Sequence, residues 1–207
     1  MKKIKLLFQG DSITDWGRNM ENNHDLGDGY VKYSAQLLNE KYPEIEFEFI
    51  NLGISGNETK DLVERLETDF ININPDVVSI LVGVNDTWHH ADQKDWISND
   101  IFEEQYRTVL KAIKEKTKAK IMILEPFLIP VEDKLFFRED LAFKIEVIRK
   151  LAREYADVYV PLDGLFNSAF ICEEPITFAT DGVHPTEKGA KFIAKIYVDY
   201  ISKIIEI

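Results

Sequence analysis

The feature that most constrains this chain is an alternation. Five short apolar runs, at 4–8, 47–51, 77–82, 121–124 and 158–160, are separated by longer segments with helical periodicity. The runs are rich in β-branched and aromatic residues, the composition of strands buried on both faces. Helices are expected over about 30–41, 59–71, 101–117, 139–156 and 186–205. The last of these puts Ala190, Ile193, Ala194, Tyr197, Ile201 and Ile204 on one face at the 3.6-residue period. Strand–helix alternation of this kind predicts an α/β fold, a parallel sheet with helices on both faces. The 207 residues suffice for one domain over 1–207, and no repeat, low-complexity tract or linker divides them. Functional groups in such sheets gather where strands end at their carboxyl edge.

Four small polar turns fall at those edges. Gly10-Asp11-Ser12-Ile13-Thr14 follows the first run, and Asn51-Leu52-Gly53-Ile54-Ser55-Gly56-Asn57 follows the second. Gly83-Val84-Asn85-Asp86 follows the third, and Asp181-Gly182-Val183-His184-Pro185 precedes the last helix. Each alone reads as an ordinary turn or helix cap. Together they hold the groups that acyl transfer needs: a nucleophile, a base, an acid to orient it, and donors for an oxyanion. Ser12 is the candidate nucleophile. A residue before proline is pushed out of the α region, so His184 should project from the mouth of the helix. Gly182 permits the reversal that lets Asp181 reach His184. The candidate oxyanion donors are the backbone N–H groups of Ser12 and Gly53 and the side-chain amide of Asn85.

Charge narrows the partners. The formal net charge is −12, which disfavours nucleic acid and anionic membrane surfaces. No apolar stretch approaches the roughly 18 residues of a membrane span. The opening Met-Lys-Lys-Ile-Lys-Leu-Leu-Phe run is too short for a signal sequence. The single cysteine, Cys172, cannot form an intrachain disulfide, and a cytoplasmic location is expected.

In order and in content, the four turns resemble the SGNH, or GDSL, hydrolase family, named for residues that here would be Ser12, Gly53, Asn85 and His184. The resemblance spans Gly10 to Pro185. It implies a flavodoxin-like three-layer α/β/α sandwich with a five-stranded parallel sheet. It also implies an acyl-enzyme mechanism without metal or cofactor. The segments 10–18, 26–31 and 53–57 are similar to the bacterial acetylesterase branch, which includes acetylxylan esterases acting on xylo-oligosaccharides. A short-chain ester on a small molecule or an oligosaccharide is therefore the expected substrate, and a homo-oligomer is expected by resemblance alone. A thioesterase or lysophospholipase of the same family is the chemical alternative. A non-catalytic carbohydrate- or phosphate-binding protein on the same scaffold would explain the glycine turns, but not why Asn85, Asp181 and His184 accompany Ser12.

Residues outside the four turns carry weaker readings. Trp88 either stacks on a sugar or packs on the core, and Trp96 is expected to pack. Arg18 either steers a substrate carboxylate or holds its loop. Phe127, in the Pro126-Phe127-Leu128-Ile129-Pro130 stretch, either walls an acyl pocket or turns the chain. Ser55 competes as nucleophile, but the Gly-x-Ser-x-Gly elbow is absent. Asp11 is expected to hydrogen-bond the turn backbone. His89 and His90 are adjacent, point apart, and lack an evident third metal ligand.

Overall fold

A computed structural model describes residues 2–205, so the expected 1–207 domain extends past the described residues at both ends. Five strands form one parallel sheet: β1 (Lys2–Gly10), β2 (Ile45–Asn51), β3 (Val77–Leu81), β4 (Lys120–Leu124) and β5 (Val158–Val160). Their spatial order is β2-β1-β3-β4-β5. Each lies within two residues of the span read from the sequence.

The strands alternate between two cores. Ile4, Leu6 and Phe8 of β1 join one, while Leu7 joins the other. Val77 and Leu81 of β3 face the first, and Val78 and Ile80 the second. The first core is closed by α2 (Tyr30–Lys41), α7 (Leu162–Ala169) and α8 (Glu187–Ile205). There Phe8 stacks on Tyr197 at 5.1 Å and meets Tyr30 edge-on at 6.2 Å. The second core is closed by α3 (Thr59–Glu64), α5 (Asn99–Lys116) and the later turns of α6 (Arg138–Tyr155). Fully burying each large aliphatic or aromatic side chain stabilises the fold by about 1.5–3 kcal/mol.

Two four-residue helices, α1 (Ser12–Asp15) and α4 (Asn85–Trp88), start at the ends of β1 and β3. They are too short to show periodicity, and neither they nor α7 is expected from the sequence pattern. The expected helix at 59–71 breaks after Glu64 and resumes as a π-helical turn over Glu67–Ile71.

This strand order places the site. The chain moves outward in opposite directions from β1, to β2 on one side and β3 on the other. That reversal opens a crevice at the carboxyl ends of the central strands. The turns after β1, β2 and β3 are therefore neighbours.

Candidate active site

The Ser12 turn is held from several directions. Asp11 caps α1, its Oδ1 accepting from Ile13 N–H at 3.0 Å. A Cβ on Gly10 would stand 2.3 Å from the Leu81 carbonyl oxygen, so only glycine lets β1 and β3 close here. Asn51 Nδ2 donates to the Thr14 carbonyl at 2.8 Å. Asp15 Oδ2 accepts from Ser55 N–H at 3.0 Å and from Ser55 Oγ at 2.5 Å. Ser12 is left half-buried at the start of α1.

The histidine turn is built from one carboxylate. Asp181 Oδ1 accepts from the backbone N–H groups of Val183 and His184 at 2.9 and 2.8 Å. Its Oδ2 lies 2.6 Å from His184 Nδ1. Burial pushes the Asp181 carboxyl up, but the bonds from His184 and Val183 outweigh it and hold the group below the usual carboxylate range. An ionised carboxylate can only accept, so Nδ1 carries the proton and Nε2 offers its lone pair. Nε2 stands 2.8 Å from Ser12 Oγ, across 172 residues of chain. The serine hydroxyl donates to it.

Gly182 has φ +87°, as the reversal requires. Its N-terminal and C-terminal flanks are tied by a bridge between Ala179 and Pro185. Pro185 lies in that bridge rather than in the first helical turn. Thr186 caps α8 instead, its Oγ1 accepting from Gly189 N–H at 3.2 Å. The segment after β4 braces this turn through Ile129 N–H, which donates to the Gly182 carbonyl at 2.8 Å.

Gly53 requires a correction as an oxyanion donor. Its N–H donates to Asn51 Oδ1 at 3.0 Å. Its lack of a side chain serves packing: a Cβ would stand 2.5 Å from Asp15 N. The other amides of the turn are mostly engaged. Leu52 donates to Phe8, Ile54 to Gly10, Ser55 to Asp15 and Asn57 to Ile54. Gly56 N–H has no partner among the described residues, and Gly56 is exposed at φ +82° with open space where a Cβ would stand. Asn85 is buried, and its Nδ2 donates to the Asn57 carbonyl at 3.1 Å. One amide hydrogen of Asn85 is thereby fixed beside Gly56, and the other is not used by this bond.

Ser12, Trp16, Gly17, Asp28, Ser55 and His184 line a cleft of about 390 Å³. A larger hollow of about 600 Å³ lies towards the amino ends of β1 and β2, among Lys3, Lys5, Glu46 and Glu48, and contains no such relay.

The outlying candidates separate. Phe127 also requires correction: it is fully buried, with its ring 4.5 Å from that of Phe166, and presents nothing to the cleft. Arg18 is buried, and its Nε donates to the Gly53 carbonyl at 2.9 Å, so it holds the loop. Trp88 is half-buried, 5.6 Å from the His184 ring and 5.9 Å from Phe137. Ser55 Oγ donates to Asp15 Oδ2, whereas the His184 imidazole is hydrogen-bonded to Ser12. His89 Nδ1 pairs with Glu58 Oε1 at 2.7 Å, and among the described residues no three His, Cys, Asp or Glu side chains are grouped to hold a metal ion. No described helix is long and apolar enough to cross a membrane.

The sequence profile of the GDSL-like lipase/acylhydrolase family matches residues 8–192. The protein belongs to this family. It is 34% identical over 201 residues to an acetylxylan esterase of Geobacillus stearothermophilus, covering 94% of this chain and 92% of the relative. The crystal structure of Axe2, an acetylxylan esterase from that organism, superposes with a TM-score of 0.87 at 33% identity, covering 98% of this chain and 94% of the other. A variant of Axe2 described as an acetyl-xylooligosaccharide esterase gives 0.89 at 33% identity, covering 97% and 95%. Axe2 structures described as catalytic mutants replace a serine, an aspartate and a histidine by alanine. As a GDSL-family enzyme, this protein is a carboxylic ester hydrolase.

Two residues at the GDSL site, Gly56 and Trp16, are not among those expected from the sequence. Gly56 was hidden by its neighbour Gly53, although an Asn two positions before a glycine is the signature of an Asx-turn that consumes the glycine N–H. Trp16 ends α1 with φ +40° and brings its ring within 6.0 Å of His184. Its position one residue before Gly17 and four after Ser12 was the available signal.

Proposed function

We propose that this esterase removes short acyl groups, chiefly acetyl, from carbohydrates such as xylo-oligosaccharides through an acyl-enzyme on Ser12. The observation that carries the mechanism is the unbroken relay from Asp181 to His184 to Ser12, at 2.6 and 2.8 Å, opening onto a solvent-accessible cleft. The similarity to acetylxylan esterases supports the substrate class.

Ser12 Oγ attacks the acyl carbon while His184 Nε2 takes its proton. Asp181 keeps the imidazole in the required tautomer and stabilises the imidazolium. The N–H groups of Ser12 and Gly56 and the Asn85 amide are the donors assigned to the oxyanion. His184 then returns the proton to the leaving alcohol oxygen. Water enters, gives a proton to Nε2 and releases the acid by the same steps in reverse.

Labelling with a fluorophosphonate, followed by turnover on acetylated xylo-oligosaccharides, tests this reading. Modification at Ser12, lost in Ser12→Ala, and release of acetate are expected. An unlabelled protein would remove the acyl-enzyme. Higher efficiency on octanoate than on acetate esters would remove the acetylesterase assignment and favour a lysophospholipase or thioesterase.

A further inference from the structure

We propose that Trp16 is the platform on which the alcohol part of the ester, a pyranose ring, seats during turnover. The inference rests on the deacetylase reading above and deepens it.

The proton path sets where the alcohol must lie. His184 Nε2 receives the Ser12 proton and must hand it to the leaving oxygen. That oxygen therefore comes within hydrogen-bond reach of Nε2, and the sugar bonded to it lies beside the imidazole. Two indoles flank the imidazole, Trp16 at 6.0 Å and Trp88 at 5.6 Å between ring centroids.

They are not equivalent. The Trp88 ring has Lys134 Nζ 5.2 Å from its centroid and Phe137 packed at 5.9 Å, and it does not line the cleft. Trp16 lines the cleft together with Ser12 and His184. Its surroundings are built for it. A Cβ on Gly29 would stand 2.7 Å from Trp16 Cβ and 2.8 Å from Cγ. A Cβ on Gly27 would stand 2.7 Å from the Trp16 carbonyl oxygen. Asp28 N–H donates to that carbonyl at 3.0 Å. A non-glycine residue at φ +40° is uncommon and persists where its surroundings dictate it. The glycine-flanked segment 27–29 thus packs against the back of Trp16 and fixes it before substrate arrives.

The chemistry suits a sugar. A pyranose has an apolar face of C–H groups and a rim of hydroxyls. A half-buried indole takes the face, and the exposed Asp28 carboxylate, whose Oδ1 accepts from Lys32 Nζ at 2.7 Å, offers Oδ2 to a hydroxyl donor. An indole held rigidly supplies this area at low entropic cost.

The test compares two acetates that share the acyl group and differ in the alcohol: acetylated xylobiose and ethyl acetate. For Trp16→Ala, kcat/KM on acetylated xylobiose should fall about 10-fold or more, mainly through KM, while ethyl acetate changes less than about 3-fold. Trp16→Phe should recover part of the loss on the sugar ester. Equal losses on both esters would overturn the proposal, because Trp16 would then only support His184. An unchanged sugar ester would overturn it as well. Wild-type enzyme that cleaves ethyl acetate but not the sugar ester would instead sink the substrate reading itself. Xylobiose binding to Ser12→Ala, followed by tryptophan fluorescence, gives a readout independent of turnover. A response abolished by adding Trp16→Ala supports the platform, and one that persists unchanged counts against it.

Discussion

The Ser12 turn and the histidine turn meet at one hydrogen bond but are held in opposite ways. Residues 10–16 are fastened by distant parts of the chain: Asn51 on the Thr14 carbonyl, Asp15 on Ser55, Leu81 closing over Gly10. Residues 181–184 organise themselves, with one carboxylate taking two backbone amides and the imidazole. Position at Ser12 is a property of the fold. Position at His184 is mostly local. Substitutions should therefore separate, with chemistry lost alone at the histidine turn and chemistry tied to stability around the serine turn.

The sharpest separation is expected at the reacting atoms. Ser12→Ala and His184→Ala should each lower kcat about 10⁴–10⁶-fold. Their melting temperatures should stay within a few degrees of wild type, because neither side chain anchors its turn. Steady-state kinetics beside thermal unfolding decides this, and substantial turnover in either variant would dissolve the proposed pair. Asn85→Ala comes next, with a loss of about 10²–10³ in kcat on removing one oxyanion donor.

The two glycines of the second turn test the comparison through stability. Gly53→Ala drives a Cβ to 2.5 Å from Asp15 N, into the floor of the Ser12 turn. Overpacking of that kind costs about 1–3 kcal/mol, or roughly 2–12 °C in melting temperature for a chain of this length. Gly56→Ala meets no atom, and its cost is confined to backbone strain at φ +82°. Its loss should appear in kcat more than in melting temperature. Differential scanning of both variants would reverse the assignment of Gly53 and Gly56 if Gly53→Ala proved thermally silent.

The smallest effect concerns pH. Asp11 is fully buried, its Oδ2 has no hydrogen-bond partner, and burial together with the Asp86 carboxylate pushes it up to about 7. Burial pushes Asp86 up to about 6. An unfolded aspartate loses its proton near about 3.9. Between that value and the folded one, the folded state holds a proton that the unfolded chain has released. The contribution of these two carboxyls to stability is thus full below about pH 4 and declines as pH rises towards 7. Asp11→Asn removes one of the two contributors. Its melting temperature should vary less between pH 4 and 7 than that of wild type, and an unchanged slope would refute the coupling of this turn to pH.

The same contrast explains what was legible in the sequence. The five strands were readable because β-branched runs buried on both faces have no other soluble use. The histidine turn was readable because its geometry is written in consecutive residues: an acid, a glycine, and a histidine before proline. The surroundings of Ser12 were harder. That Arg18 reaches the Gly53 carbonyl, or that Phe127 turns inward onto Phe166, depends on packing between segments far apart in the chain. Gly53 was misassigned for a related reason. Two glycines share one turn, and only a count of where each amide hydrogen goes tells a packing glycine from one with a free N–H.

The strand order carries a further consequence. β1 lies inside the sheet, between β2 and β3, and delivers Ser12, whereas His184 follows β5, the last strand among the described residues. A ribosome making this protein releases Ser12, the proposed attacking group, about 170 residues before His184, the group proposed to activate it. Over that interval the nascent chain carries the Ser12 hydroxyl without its imidazole partner. On the proposed relay, reactivity at Ser12 is a timestamp: it reports that the turn leading into α8 has docked.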